Sequence, residues 1–207
     1  MDRALLLRLG RNPRVVILPT AAAHDGPDIA ARNGVNYFNR LGAHAEAAMV
    51  LDKETARKPS LIAQIKMADL IYFTGGDPSY LLETMRDSLT WEAALGAWVG
   101  GRMLAGSSAG AMICGGQMWG PGVGWQKGLG LVPHIAIVPH NATLGLRWKA
   151  DRIRTSLPEG VMLVGIDEST ALLGPPWQVI GWDQVVLYSD QGKAIFTDGQ
   201  IVPLYTA

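Results

Sequence analysis

The run Gly106-Ser107-Ser108-Ala109-Gly110-Ala111 holds the residues of this chain best suited to do chemistry. Arg102-Met103-Leu104-Ala105 before it reads as a short buried strand, and Met112-Ile113-Cys114 after it as the first turn of a helix. A serine in a G-x-S-x-G pattern between strand and helix is a nucleophile elbow. The sharp turn strains the central residue, so its neighbours must be small, as Gly106, Ala109, Gly110 and Ala111 are. Ser108 is the central residue, and its hydroxyl is the candidate nucleophile. The helix behind it aims free N–H groups and the positive end of its dipole at the site, where they can hold an oxyanion. An ordinary Gly/Ser-rich turn has the same composition, so the pattern needs partners.

A serine is a weak nucleophile until a base takes its proton. The histidines are His24, His44, His134 and His140. His140 ends the run Ile135-Ala136-Ile137-Val138-Pro139, which puts it at a strand's carboxyl end, the edge to which the elbow also belongs. His134 falls at the opposite end of that strand, His44 at a helix-to-strand turn on the far edge, and His24 on a loop at the active edge. His140 is therefore the candidate base. Gly75-Gly76-Asp77 follows the strand Leu70 to Thr74 and reaches the same edge. Two glycines let backbone approach a ligand closely. The N–H of Gly76, with that of Ala109, can complete an oxyanion hole; the plain alternative is a turn after a strand.

These residues need a scaffold, and the first half of the chain predicts one. Strands are expected at Val15 to Pro19, Ala48 to Leu51, Leu70 to Thr74 and Arg102 to Ala105. Between them, helical spacing runs from Pro27 to Leu41, from Pro59 to Ala68, and over Tyr80 to Met85 and Trp91 to Trp98. Such a β-α-β series predicts a parallel sheet with helices on both faces and a ligand at the strands' carboxyl ends. After a helix at Leu146 to Leu157, short runs separated by Gly, Pro and Asp turns predict C-terminal β-hairpins. No repeat or linker divides the chain, so one domain over 1–207 is expected.

Composition narrows the function. The 207 residues carry 18 basic and 18 acidic side chains, so no net field favours nucleic acid or an anionic membrane. The single cysteine, Cys114, forms no intrachain disulfide and no cysteine metal site. There is no signal-peptide pattern and no apolar run of membrane-spanning length, and a cytoplasmic location is expected.

Taken together, the motifs resemble the peptidase E / cyanophycinase family of serine peptidases. Phe73-Thr74-Gly75-Gly76-Asp77 is similar to the segment that supplies an oxyanion donor, and Gly106 to Ala111 to the nucleophile motif. Gly128-Leu129-Gly130-Leu131 through Val138-Pro139-His140 is similar to the segment ending in the base. Val164 to Ala171 resembles a cyanophycinase-type segment. Order and spacing agree from Arg14 to Tyr188. The resemblance implies an α/β three-layer sandwich with a mostly parallel central sheet, like class I glutamine amidotransferases. It also implies hydrolysis of short peptides through an acyl-enzyme at Ser108, no cofactor and no metal; some members are homodimers.

Two departures stand out. The family carries an acid between serine and histidine to orient the base, but this chain has no Asp or Glu between Ser108 and His140. That role, which fixes the imidazole tautomer and stabilises its charge, passes to Asp167 or Glu168, to a neutral Gln117 or Gln126, or to none in a dyad. Trp119 to Trp125 could wall a pocket or lie on the surface. Asp77 and Pro78 stand where peptidase E has Asn and Thr. A carboxylate repels an aspartyl side chain and attracts a cation. Arg147, Lys149 and Arg152 lie near the position of that enzyme's substrate arginine. The expectation is a serine peptidase of dipeptidase or exopeptidase type. Its rivals are a cyanophycinase-like β-aspartyl peptide hydrolase, an esterase, and a catalytically weak member that binds a small ligand.

Overall fold

The computed structural model describes residues 1–120, 122–143, 153, 155–189 and 192–204. They form two compact units, Leu6–Ala111, and Met1–Leu5 with Met112–Ala207. The fold class is α/β with mostly parallel strand pairing, as the sequence predicts.

A short helix α1 (Asp2–Leu7) opens the chain. The unit Leu6–Ala111 then alternates β1 (Arg14–Leu18), α2 (Pro27–Arg40), β2 (His44–Ala47), α3 (Pro59–Lys66), β3 (Leu70–Phe73), α4 (Pro78–Met85), α5 (Leu89–Val99) and β4 (Met103–Gly106). Its sheet runs β2-β1-β3-β4 with every pairing parallel. Strands covered on both faces need continuous apolar runs. Accordingly Val15 to Leu18, Leu70, Ile71 and Phe73 are all buried. Phe38 of α2, Ile65 of α3, and Leu81, Leu82 and Met85 of α4 are fully buried as well. Each such side chain contributes about 1.5–3 kcal/mol. Helix starts follow local chemistry: Pro27 and Pro59 occupy first turns, and the Asp77 and Ser88 side chains cap α4 and α5.

The second strand lies at His44–Ala47, not at the apolar run Ala48 to Leu51. An edge strand is covered less completely than a central one and need not be apolar throughout. Here the register Arg14↔His44 to Ile17↔Ala47 selects the more polar segment. The apolar run instead turns beneath the loop after β1, where the Val50 carbonyl accepts the Thr20 hydroxyl at 2.6 Å.

Beyond the one-turn α6 (Ala109–Met112), the second unit holds β5 (Gly115–Gly120), β6 (Gly124–Lys127), β7 (Val132–Pro139), β8 (Met162–Ile166), β9 (Thr170–Leu173), β10 (Gln178–Gly181), β11 (Val185–Ser189) and β12 (Gly192–Phe196). Its main sheet is ordered β12-β11-β8-β7-β5-β6, parallel across β5, β7 and β8 and antiparallel towards both edges. The expected C-terminal hairpins are β9–β10 and β11–β12. Ile201 makes only an isolated bridge to Gln178. Most of the helix expected at Leu146 to Leu157 lies outside the described residues. Among the described residues, no helix is long and apolar enough to cross a membrane.

The Trp-rich segment is a hairpin rather than a loop. Trp119 opposes Trp125 across β5 and β6, with the rings edge to face at 5.3 Å. Both indoles pack on a buried cluster that includes Ala136, Val138, Leu163, Val186 and Tyr188. They cover the core of this unit. Trp119→Ala should therefore cost about 2 kcal/mol, because it removes packing and an aromatic pair. In a protein of this size that lowers the thermal midpoint by roughly 4–8 °C. A surface indole would leave the midpoint within about a degree or two, since such changes stay near 0.5 kcal/mol.

Candidate active site

β4 delivers the chain to Ser108 in a left-handed conformation, φ +51°. For a residue with a Cβ this costs roughly 1–2 kcal/mol. Backbone bonds hold the turn on both sides. Ser107 N–H donates to the Phe73 carbonyl at 3.1 Å, Gly110 N–H to Ser107 at 2.9 Å, and Ala111 N–H to Ser108 at 3.0 Å. The missing Cβ atoms give the turn its room. At Gly106 a Cβ would run into the Gly110 backbone, and at Gly110 into the Phe73 carbonyl. Gly75 faces the nucleophile candidate directly: a Cβ there would lie 3.1 Å from Ser108 Cβ and 3.7 Å from its Oγ. The elbow helix is shorter than its sequence suggests, because β5 begins at Gly115.

Gly76 has φ +142°, and its Cα lies so close to the Ala21 carbonyl that no side chain fits. The next residue, Asp77, donates its N–H to that carbonyl at 2.7 Å. Asp77 Oδ1 accepts from Ser79 N–H at 2.8 Å and Tyr80 N–H at 3.1 Å, the bonds of a helix cap. The carboxylate expected to meet substrate is thus held in place by α4. Nearby, the His24 ring packs edge-on against Tyr80 at 4.4 Å.

In the other unit, β7 ends at Pro139 and His140 follows with φ +53°. β7 and β8 run parallel with Pro139 level with Ile166, so the residues after each strand emerge side by side. Of the two acids the sequence offers there, Glu168 meets the histidine: its Oε1 lies 3.4 Å from His140 Nδ1. The same Oε1 accepts the Thr143 hydroxyl at 2.6 Å. Asp167 turns the other way, is buried, and accepts Asn141 Nδ2 at 2.9 Å. Consecutive residues leaving a strand point to opposite faces, which separates the two carboxylates. His134 sits inside β7 rather than at its start, and His44 begins β2. Arg147, Lys149 and Arg152 lie outside the described residues.

Thr143 was not legible as a site residue; its one signal is its spacing of three from His140, within a turn closed by Thr143 N–H to the His140 carbonyl at 3.1 Å. Its hydroxyl is the chief cause that holds the Glu168 carboxyl below the usual value. A bond to Glu168's own backbone adds to this, and the nearby His140 contributes less. Partial desolvation works against them. Both partners of the pair are well exposed, 44% for the His140 side chain and 39% for that of Glu168, so water screens the attraction. Among the described residues, no group of three His, Cys, Asp or Glu side chains is placed to share a metal ion.

Comparisons with known proteins identify the family and the fold. The model of Peptidase family S51 matches residues 1–174. The chain is similar to a peptidase from an acI-B1 Actinobacterium, known from a crystal structure. The two are 30% identical over 97% of this chain and 88% of that one, with a TM-score of 0.87. A candidate peptidase E protein from Listeria monocytogenes EGD-e shares the fold at 17% identity, covering 94% and 92% of the two chains, with a TM-score of 0.64. No curated protein matches the chain in sequence.

A depressed carboxyl stabilises the fold above its ordinary range, and that contribution is lost as pH falls through the lowered value. Thr143→Val removes the largest cause of the depression. The Glu168 pKa, followed by carboxyl-carbon NMR titration, should rise towards the ordinary carboxylate value. No movement would mean that the hydroxyl does not hold the carboxylate in solution.

Proposed function

Because the chain belongs to peptidase family S51 and is a serine peptidase, we propose that it hydrolyses short peptides through an acyl-enzyme on Ser108. The observation that carries this reading is the left-handed Ser108, a non-glycine residue held in a strained turn with Gly75, Gly106 and Gly110 giving it room. Strain of this kind in a small-residue cradle presents a hydroxyl for attack.

His140 is the proposed base. Its Nδ1 faces the Glu168 carboxylate, which favours the tautomer with the proton on Nδ1 and leaves Nε2 as the accepting atom. Nε2 takes the Ser108 proton as Oγ bonds to the peptide carbonyl carbon. The imidazolium then gives that proton to the leaving amine as the C–N bond breaks. Water, activated by the same nitrogen, adds to the acyl carbon and releases Ser108. The oxyanion donors we propose are the N–H groups of Gly76 and Ala109. Those of Thr74, Asp77, Ser107, Gly110 and Ala111 are engaged in backbone bonds.

Glu168 weighs against the catalytically weak alternative, which drew its support from the missing acid between Ser108 and His140. The acid follows the base in the chain rather than preceding it. Asp77, a fixed carboxylate next to Gly76, favours peptides that bring a positive group, an amino terminus or a basic side chain, over those beginning with aspartate.

The test is a panel of dipeptides, tripeptides and β-aspartyl dipeptides, incubated with wild-type protein and with Ser108→Ala, with released amino acids read by mass spectrometry. Cleavage should fall at least about 10³-fold in the variant, and peptides beginning with lysine should be cut faster than those beginning with aspartate. Cleavage that survives Ser108→Ala would overturn the nucleophile assignment. Exclusive cleavage of β-aspartyl peptides would move the reading to the cyanophycinase-like alternative.

A further inference from the structure

We propose that Asn141 is a positioning residue of this site. Its side-chain amide, bonded to Asp167 and to Tyr188, holds His140 in the conformation that meets Glu168. The inference rests on His140 and Glu168 acting as base and orienting carboxylate.

Asn141 is buried, at 8% exposure, although it directly follows the half-exposed His140. Its Nδ2 donates to Asp167 Oδ1 at 2.9 Å, and its Oδ1 accepts the Tyr188 hydroxyl at 2.7 Å. The amide is satisfied at both ends: its NH₂ donates to the carboxyl oxygen and its carbonyl oxygen accepts from the phenol. Asp167 and Tyr188 are buried too. One amide therefore ties together the end of β7, the end of β8 and β11, three neighbours in the sheet. Gly165 leaves the space it fills, since a Cβ there would run into the amide oxygen.

The geometry bears on the base through the backbone. His140 is left-handed, and an L-residue keeps that conformation only where its surroundings fix it. The residue before it is the last of β7, and the residue after it is Asn141. With both neighbours anchored, the His140 ring is directed to Glu168. Asp167 and Glu168 are consecutive, so the bond that holds Asn141 to Asp167 also sets the spacing of His140 from Glu168.

The test measures peptide cleavage and thermal unfolding for Asn141→Ala, Tyr188→Phe, Glu168→Gln, His140→Ala and the double variant Asn141→Ala/Glu168→Gln. Misplacing a catalytic group by about 1 Å costs roughly 10²-fold, so Asn141→Ala should lower kcat by about 10- to 100-fold with KM within about twofold. Tyr188→Phe keeps the ring and loses the hydrogen bond to Asn141, and should lower kcat by about 3- to 10-fold. It carries the test if Asn141→Ala does not fold. In the Glu168→Gln background Asn141→Ala should cost less than about twofold, because the carboxylate charge it positions at the ring is already gone. A merely structural role would give full additivity. Full additivity, or wild-type kcat in folded Asn141→Ala and Tyr188→Phe, overturns the proposal while leaving the base assignment intact. Retained cleavage by His140→Ala overturns the base assignment, and the proposal with it.

Discussion

The turn at Ser108 is the constraint on which the unit Leu6–Ala111 depends. A side chain can stand on a left-handed backbone between strand and helix only if nothing else occupies the space around it. Gly75, Gly106 and Gly110 supply that space. The requirement reaches into the sheet. Gly110 can pack on the Phe73 carbonyl only because β3 and β4 are neighbours with Phe73 level with Gly106. The same carbonyl accepts the Ser107 N–H. A hydrogen bond of this kind contributes about 1 kcal/mol net, so the bonds around the elbow are of the size needed to offset its strain. Strand order, glycine placement and the half-buried Ser108 are therefore parts of one packing problem.

The proposed base and its carboxylate answer to a different rule. Parallel pairing of β7 and β8 brings two chain ends out of the sheet together, and this places a carboxylate beside a histidine from distant parts of the sequence. An exposed ion pair adds little to stability. Its use is directional: a carboxylate at Nδ1 selects one imidazole tautomer and supports the positive charge that develops there. Thr143 reinforces this by lowering the carboxyl's pKa and by bonding the same oxygen that faces the ring.

Much of this was legible in the sequence, and the reasons are local. The elbow pattern, the apolar runs of β1, β3 and β4, and the position of His140 after β7 all depend on residues within a few places of one another. The features that were not legible depend on pairing. β2 was displaced by four residues because the edge position, not the most apolar run, set the register. The Trp-rich segment hid a hairpin because Gly and Trp carry weak strand alternation, while the structure shows its indoles covering a core built by other strands. The choice between Asp167 and Glu168 was open because adjacent residues differ only in the face they take. Asn141 and Tyr188 stood out in neither composition nor motif, since a buried polar pair becomes visible only when its partners are known.

His140 and Ser108 are both left-handed non-glycine residues, yet they are stabilised in different ways. Around Ser108 the solution is subtractive: side chains are absent, and the sensitive changes are those that add an atom to Gly75, Gly106 or Gly110. Around His140 it is additive: a phenol and a carboxylate make directed bonds with the buried amide of the residue next to it. The sensitive changes there are those that remove a polar atom. The distinction fits the roles proposed for the two residues. A nucleophile has to be approached by substrate from outside, so crowding is what its surroundings must avoid. A base has to keep one ring orientation while its charge changes, and hydrogen bonds specify orientation in a way that empty space cannot.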